Sequence, residues 1–271
     1  MVSRGQKFLE RFYIAFVFFL LYAPILILIV CSFNESKART VWGGFTFNWY
    51  VSLAQNEEVM AAVRTSLVLT FSAALIATIL GTLACIGMTV MKKNSQSAIM
   101  SVTNIPMLNA DIVTGIAIML LFVRFAGLRM MSMLAAHITL GVPYVILNVM
   151  PKLKQTNRSA YEAALDLGAT PTYAFRKIVL PDIMPGVFSG FLLAFTISLD
   201  DFVITYFTKG PGINTISTMI YQQVRRGINP EMYALSTILF LLILIVLWIV
   251  NRIQNDDTGN YGAQAKGKVA A

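Results

Sequence analysis

Three carboxylates stand within runs of apolar residues, where a charge is costly: Asp111 and the adjacent pair Asp200 and Asp201. An ionisable group near the centre of a membrane helix costs at least about 2.5–3.5 kcal/mol, so its presence points to work that needs a charge. A carboxylate beside an aromatic face suits a cation, the oxygens pairing with the charge and the ring covering an apolar stem. Phe202, Tyr206 and Phe207 are close enough in sequence to Asp200 to supply such faces. The competing use of each carboxylate is a structural ion pair or a helix hydrogen bond. His137, the single histidine, is expected at a depth similar to Asp200 and is its candidate partner, although a lone histidine also serves as a satisfied packing residue. Other chemistries find no residues. There is no HExxH and no nucleophile beside a base, and Cys31 and Cys85 lie inside apolar runs, which argues against a disulfide or a metal site.

The elements that must position these groups are membrane helices. Of the 271 residues 57% are hydrophobic and 13% charged, against roughly 25% charged in a soluble domain. With a mean hydropathy of +0.70, that excludes a soluble enzyme and a disordered chain. The net charge of +8 does not make a nucleic-acid binder, because the basic residues fall between apolar runs, as topology signals do. Six runs reach the roughly 20 residues a crossing needs: 12–33, 64–91, 99–124, 129–150, 183–208 and 233–251. The first exceeds a signal-peptide core and lacks a small-residue cleavage site, so it reads as an uncleaved helix. Thirteen of the 21 Lys and Arg residues flank one side, among them Lys92, Lys93, Lys152, Lys154, Arg176 and Lys177. That excess is expected to place both termini and the 151–182 loop in the cytoplasm. Asp111 would then lie near mid-membrane, about 18 Å into the third helix, and Asp200 and Asp201 in the outer third of the fifth. Those two levels could pass a cation inward.

In the second run Ala73, Ala77, Gly81 and Cys85 recur every four residues, a flat stripe for close helix approach within this chain or against a second membrane subunit. The outer loop 34–63 carries Trp42, Phe45, Phe47, Trp49 and Tyr50, read as interfacial anchors or as a docking surface for an extracytoplasmic partner. After Gly210-Pro211-Gly212, the spacing of Ile213, Ile216, Ile220 and Val224 predicts an amphipathic helix in the interface. In the 151–182 loop, Ser159 and Glu162 form a capping-box pattern. A helix is expected from Ala160 to Leu167, then a turn at Gly168 and a second helix from Pro171 that stops at Leu180-Pro181.

Glu162-Ala163-Ala164, Gly168 three residues after Leu165, Ile178 and Leu180-Pro181 resemble the EAA loop of ABC importer permeases. Trp42 to Tyr50, Asp111-Ile-Val, Ser198-Leu-Asp200-Asp201 and Gly227 to Glu231 are similar to the second permease of spermidine/putrescine importers; Leu108-Asn109-Ala110 departs from that pattern. The resemblance implies an all-α integral membrane fold of the MetI-like type, with six transmembrane helices over 1–252, a cytoplasmic EAA coupling helix, and a polar, disordered cytoplasmic tail over 253–271. It also implies polyamine transport across the cytoplasmic (inner) membrane rather than enzymatic activity, with Asp111, Asp200, Asp201 and Tyr206 on the pathway. Glu162, Ala163, Ala164 and Gly168 would couple to an ATPase. Expected partners are a second permease, two copies of an ABC ATPase, an extracytoplasmic polyamine-binding protein and membrane lipid. No cofactor is expected in this chain, because ATP and Mg bind the ATPase. Gly262 to Val269 approximates a P-loop but has Val269 where Ser or Thr must bind Mg²⁺. The alternatives are an ABC importer of another small solute, or an ion-coupled transporter, for which the sequence lacks inverted repeats.

Overall fold

Long apolar runs satisfy their backbone polar groups internally by coiling, and the computed structural model of the chain is helical almost throughout. It describes residues 4–36, 41–125 and 127–269. The helices are α1 (Arg4–Ser32), α2 (Asn48–Gln55), α3 (Glu57–Thr89), α4 (Lys93–Thr103), α5 (Ile105–Leu108), α6 (Asp111–Phe125), α7 (Met130–Gln155), α8 (Arg158–Asp166) and α9 (Pro171–Ala174). A π turn (Phe175–Val179) leads into α10 (Leu180–Asp200), followed by α11 (Val203–Thr208), α12 (Ile216–Arg226) and α13 (Pro230–Val269). Among the described residues the single strand-like pairing is an antiparallel bridge between Asn34 and Phe45. Five stretches are long and apolar enough to cross a membrane: Arg11–Ser32, Glu57–Thr89, Met130–Gln155, Pro171–Asp200 and Pro230–Ile249.

Four expectations change. The third apolar run is not one helix but α4, α5 and α6, broken at Asn104 and again at the extended Asn109 (ψ 154°). The fifth run is interrupted at Asp201, which is also extended (ψ 123°). The second loop helix does not stop at Leu180-Pro181. Proline lacks an N–H and its ring crowds the preceding turn. The π turn, closed by the Leu180 amide on Phe175 O, widens the helix there and lets it run on into α10. Finally α13 continues to Val269, so residues 253–269, expected as a disordered tail, prolong the last helix; no proline follows Pro230 to stop it.

The chain divides into two compact units, Met1–Met60 with Ile220–Leu242, and Ala61–Met219 with Ile243–Ala271. In the first, α1 exposes apolar side chains on all sides, Phe12, Phe19 and Ile27 among them, as suits a helix in lipid. The loop after α1 folds on Asn34: its amide donates to Val41 O (2.9 Å), its side-chain oxygen accepts from Gly43 N (2.9 Å), and its carbonyl accepts from Trp49 Nε1 (2.7 Å). Phe33, Phe45 and Phe47 stack beside it with centroids 5.1–5.5 Å apart. Trp42 stays exposed. At the start of α13, the Glu231 carboxylate accepts from Ser52 Oγ and from Asn56 Nδ2 (3.1 Å), tying down the end of α2.

The second unit is built on α3, α7 and α10. The small-residue stripe of α3 is a seam within this chain: Ala73, Ala77 and Cys85 are buried, and a Cβ on Gly81 would lie 2.8 Å from Val145 Cγ1 of α7. Gly190 of α10 approaches the other side of Val145, its missing Cβ 3.1 Å from Val145 Cα. Ala74, Met88, Ile146, Val149 and Ala194 complete this core. At the start of α12, Thr215 and Thr218 bond each other's amides, and Ser66 accepts from Ile216 N (2.8 Å). The predicted stripe there does not form one buried face, since Ile216 is buried while Val224 is exposed; Thr215, Thr218 and Met219 share the burial with Ile216.

Candidate functional site

The two helix interruptions of the second unit lie side by side. The segment α4–α6 starts at the far end of α7, where Gln96 reaches Met150 Sδ (4.0 Å) and Met100 joins the core. It ends where Leu128 O and Arg129 lie against Gly210, on which a Cβ would fall 2.6 Å from Leu128 O. The segment therefore runs in the same direction as α10 and α11. Gly115 of α6 packs on Ile204 and Phe207 of α11. Asp111 is four residues before Gly115, and Asp200 four residues before Ile204. The two breaks, and the carboxylates at them, thus share one level rather than the two separate depths expected from residue counting.

At that level Asp111 and Asp200 are both exposed on this chain, and among the described residues no hydrogen bond or ion pair engages either carboxylate. Their helix ends differ. Asp111 opens α6, where the positive end of the helix dipole offsets roughly half a charge; Asp200 closes α10, where the dipole adds about as much negative charge. Asp200 is the stronger attractor for a cation. Tyr206, 44% exposed, contacts the rings of Phe202 (5.4 Å) and Phe207 (5.6 Å), making the aromatic surface expected near Asp200. In the loop after α11, Lys209 donates to Asn214 Oδ1 (3.0 Å), and partial burial lowers its pKa from the ordinary lysine value.

Asp201 points elsewhere. Its Oδ1 accepts from Ile204 N (3.3 Å), and its Oδ2 from Thr205 N (2.8 Å) and Thr205 Oγ1 (3.0 Å), so it satisfies the first free amides of α11. The expected His137–Asp200 pairing is corrected, since His137 faces Asp201, with Nε2 3.9 Å from Oδ2. A one-residue step on a helix turns neighbouring side chains about 100° apart, so only one of the two could reach the protein interior. His137 is buried at 1% exposure, with Nε2 2.9 Å from Thr205 Oγ1 and Nδ1 2.8 Å from Ser198 Oγ. Sequence reading missed Thr205 and took Ser198 only as part of the Ser198-Leu-Asp200-Asp201 match, not as a partner of His137; hydroxyls on either side of an Asp-Asp pair were the available signal.

The loop between α7 and α10 has the expected helix–turn–helix form with a different cap. Asn157, not Ser159, opens α8, its side chain accepting from Ser159 N (3.1 Å). Glu162 and Ala163 are exposed on α8, and Ala164 is partly covered. Gly168 takes a left-handed conformation (φ +88°) that ends the helix. Thr170 then caps α9 before Pro171. Leu167 is 89% exposed, an apolar side chain held out at the turn that the sequence did not single out.

An all-helical transmembrane unit with interrupted helices at one level and an exposed Glu-Ala-Ala helix on a loop defines a membrane permease. Residues 77–257 match the family described as "Binding-protein-dependent transport system inner membrane component", and the chain belongs to that family. It is therefore a multi-pass inner membrane protein. It is 40% identical over 240 residues to the putrescine transport system permease protein PotI of Escherichia coli K12, covering 86% of this chain and 85% of the relative. To the spermidine/putrescine transport system permease protein PotC of the same strain it is 37% identical over 244 residues, 89% of this chain and 92% of the relative. Among solved structures, a chain of a bacterial alginate ABC transporter in complex with a pentasaccharide-bound periplasmic protein superposes with a TM-score of 0.67, covering 95% of this chain and 96% of that one at 17% identity. That likeness concerns the fold.

Proposed function

We propose that the chain is the permease subunit of an ABC importer that carries polyamines, spermidine or putrescine, into the cytoplasm. The carrying observation is the pair of unengaged carboxylates, Asp111 and Asp200, exposed at one level where two helices are interrupted. A chain of ammonium groups separated by methylenes suits them: the charges pair with the carboxylates, and the stem lies on Tyr206 and its neighbouring rings. The names of the 40% and 37% identical relatives narrow the cation to this class. In this reading α4–α6 together make a sixth, interrupted crossing, and both termini face the cytoplasm. Energy enters at Glu162, Ala163, Ala164 and Gly168, which dock on an ABC ATPase present in two copies and holding ATP and Mg. A second permease supplies the opposite wall of the path, and an extracytoplasmic polyamine-binding protein delivers substrate. Lipid surrounds the whole, and nucleic acid plays no part.

The test is uptake of labelled spermidine and putrescine in cells lacking only this chain, complemented with wild type or with Glu162→Lys. Uptake should vanish without the chain, return with wild type, and fall at least about tenfold with Glu162→Lys, a charge reversal in an interface core. Uptake that never depended on the chain would redirect the reading to another small solute.

A further inference from the structure

The proposed cation site depends on a break between α10 and α11 that neither glycine nor proline explains, since the residues there are Asp200, Asp201 and Phe202. An extended residue between two helices leaves amides and carbonyls without helical partners, and in apolar surroundings each such group is costly. One side-chain chain answers that need. Asp201 Oδ2 already accepts the Thr205 amide (2.8 Å) and also lies 3.0 Å from Thr205 Oγ1. A carboxylate oxygen that accepts takes the single hydroxyl proton of Thr205. The contact between Thr205 Oγ1 and His137 Nε2 (2.9 Å) must then be donated by the imidazole. A neutral imidazole with its proton on Nε2 has a free acceptor at Nδ1, and Ser198 Oγ donates into it at 2.8 Å. The side-chain protons of Ser198, His137 and Thr205 are thus each donated once, in one direction, and the series ends on Asp201.

Ser198 belongs to the last turn of α10, Thr205 to the first turn of α11, and His137 to α7. The imidazole therefore spans the break from a third helix. On the far side, Ser217 Oγ donates to the carbonyl of Asp201 (2.8 Å), fixing the same residue from the start of α12. With Asp201 held inward, the adjacent Asp200 is left on the exposed side. We propose that His137 is a positioning residue for the cation site: by clasping Ser198 of α10 to Thr205 of α11 it holds the interruption that presents Asp200 and Tyr206 to substrate and commits Asp201 to the start of α11. The inference rests on the polyamine reading above.

The experiment is the initial rate of labelled spermidine and putrescine uptake against concentration, in cells carrying the complete transporter, with the amount of this chain in the membrane measured in parallel. The variants are His137→Ala, Ser198→Ala, Asp200→Asn and the double variant His137→Ala with Asp200→Asn. A positioning role raises KM about tenfold in His137→Ala and a few-fold in Ser198→Ala, with Vmax per chain nearly kept. The double variant should resemble Asp200→Asn alone, because the clasp acts through that carboxylate, and coupled residues do not add. Should His137→Ala fail to reach the membrane, Ser198→Ala, a mild change inside a helix, decides by the same split. A fall in Vmax with unchanged KM, or effects of His137 and Asp200 that simply multiply, would overturn the inference and leave His137 a packing residue. If the wild type carries no polyamine, or Asp200→Asn changes nothing, the substrate reading itself fails, an outcome distinct from the former.

Discussion

Two neighbouring aspartates of the same chemical type have opposite circumstances, and the difference lies in what surrounds each carboxylate. Asp201 accepts two amides and a hydroxyl, so its charge stabilises the start of α11. Removing it as Asp201→Ala should cost about 1–2 kcal/mol, the range of lost helix-start acceptors, while Asp201→Asn retains an acceptor and should cost less. Asp200 has no such ties, so Asp200→Asn should leave the thermal stability of the purified complex near that of wild type. Its effect should fall on transport. Because the α10 dipole reinforces Asp200 and the α6 dipole opposes Asp111, KM for polyamine should rise more in Asp200→Asn than in Asp111→Asn. Melting curves and uptake kinetics on the four variants separate the roles. A stability loss in Asp200→Asn, or an equal KM rise at both positions, contradicts the assignment.

Among the elements, α10 carries the tightest constraints, because it approaches the α7 backbone through glycines. A Cβ at Gly186 would fall 2.9 Å from Asn148 O, and one at Gly190 3.1 Å from Val145 Cα; neither backbone atom can rotate away. Gly186→Ala and Gly190→Ala should each destabilise by about 1–3 kcal/mol, the cost of overpacking. Gly87 in α3 faces open space, so Gly87→Ala should be neutral or gain roughly 0.5–1 kcal/mol of helix propensity. Thermal unfolding of the three variants checks the contrast, and a destabilising Gly87→Ala would disprove it. The small-residue stripe behind this packing was legible in α3 because its four-residue spacing is a pattern on one face. The break at Asn109 was marked only by the departure of Leu108-Asn109-Ala110 from the family pattern, and the break at Asp201 was not legible. Hydropathy runs through them, neither contains Gly or Pro, and the bonds that hold the second come from α7 and α12, remote in sequence. Pro181 misled in the reverse direction: it reads as a stop, yet a π turn absorbs it.

At the scale of the molecule, one continuous run joins the two functional ends. The loop helix α8 turns at Gly168 into α9, passes through the π turn into α10, and α10 ends at Asp200. On the proposed function, a displacement of α8 passes across the Gly168 turn to α9 and through the π turn into α10, and a π turn has a looser hydrogen-bond pattern that can absorb a change of helix phase. What moves α8 must grip it, and Leu167 at the end of that helix is 89% exposed, an apolar side chain open to a partner. Fully burying a leucine contributes about 1.5–3 kcal/mol, ten- to hundredfold in affinity. Leu167→Asp should therefore weaken association with the proposed ATPase subunit at least tenfold, read as ATPase co-purified with the tagged permease, while the permease itself still reaches the membrane. Retained ATPase with normal uptake would place the grip elsewhere on α8, at Glu162 and Ala163, the other exposed residues of that helix in the Glu-Ala-Ala motif.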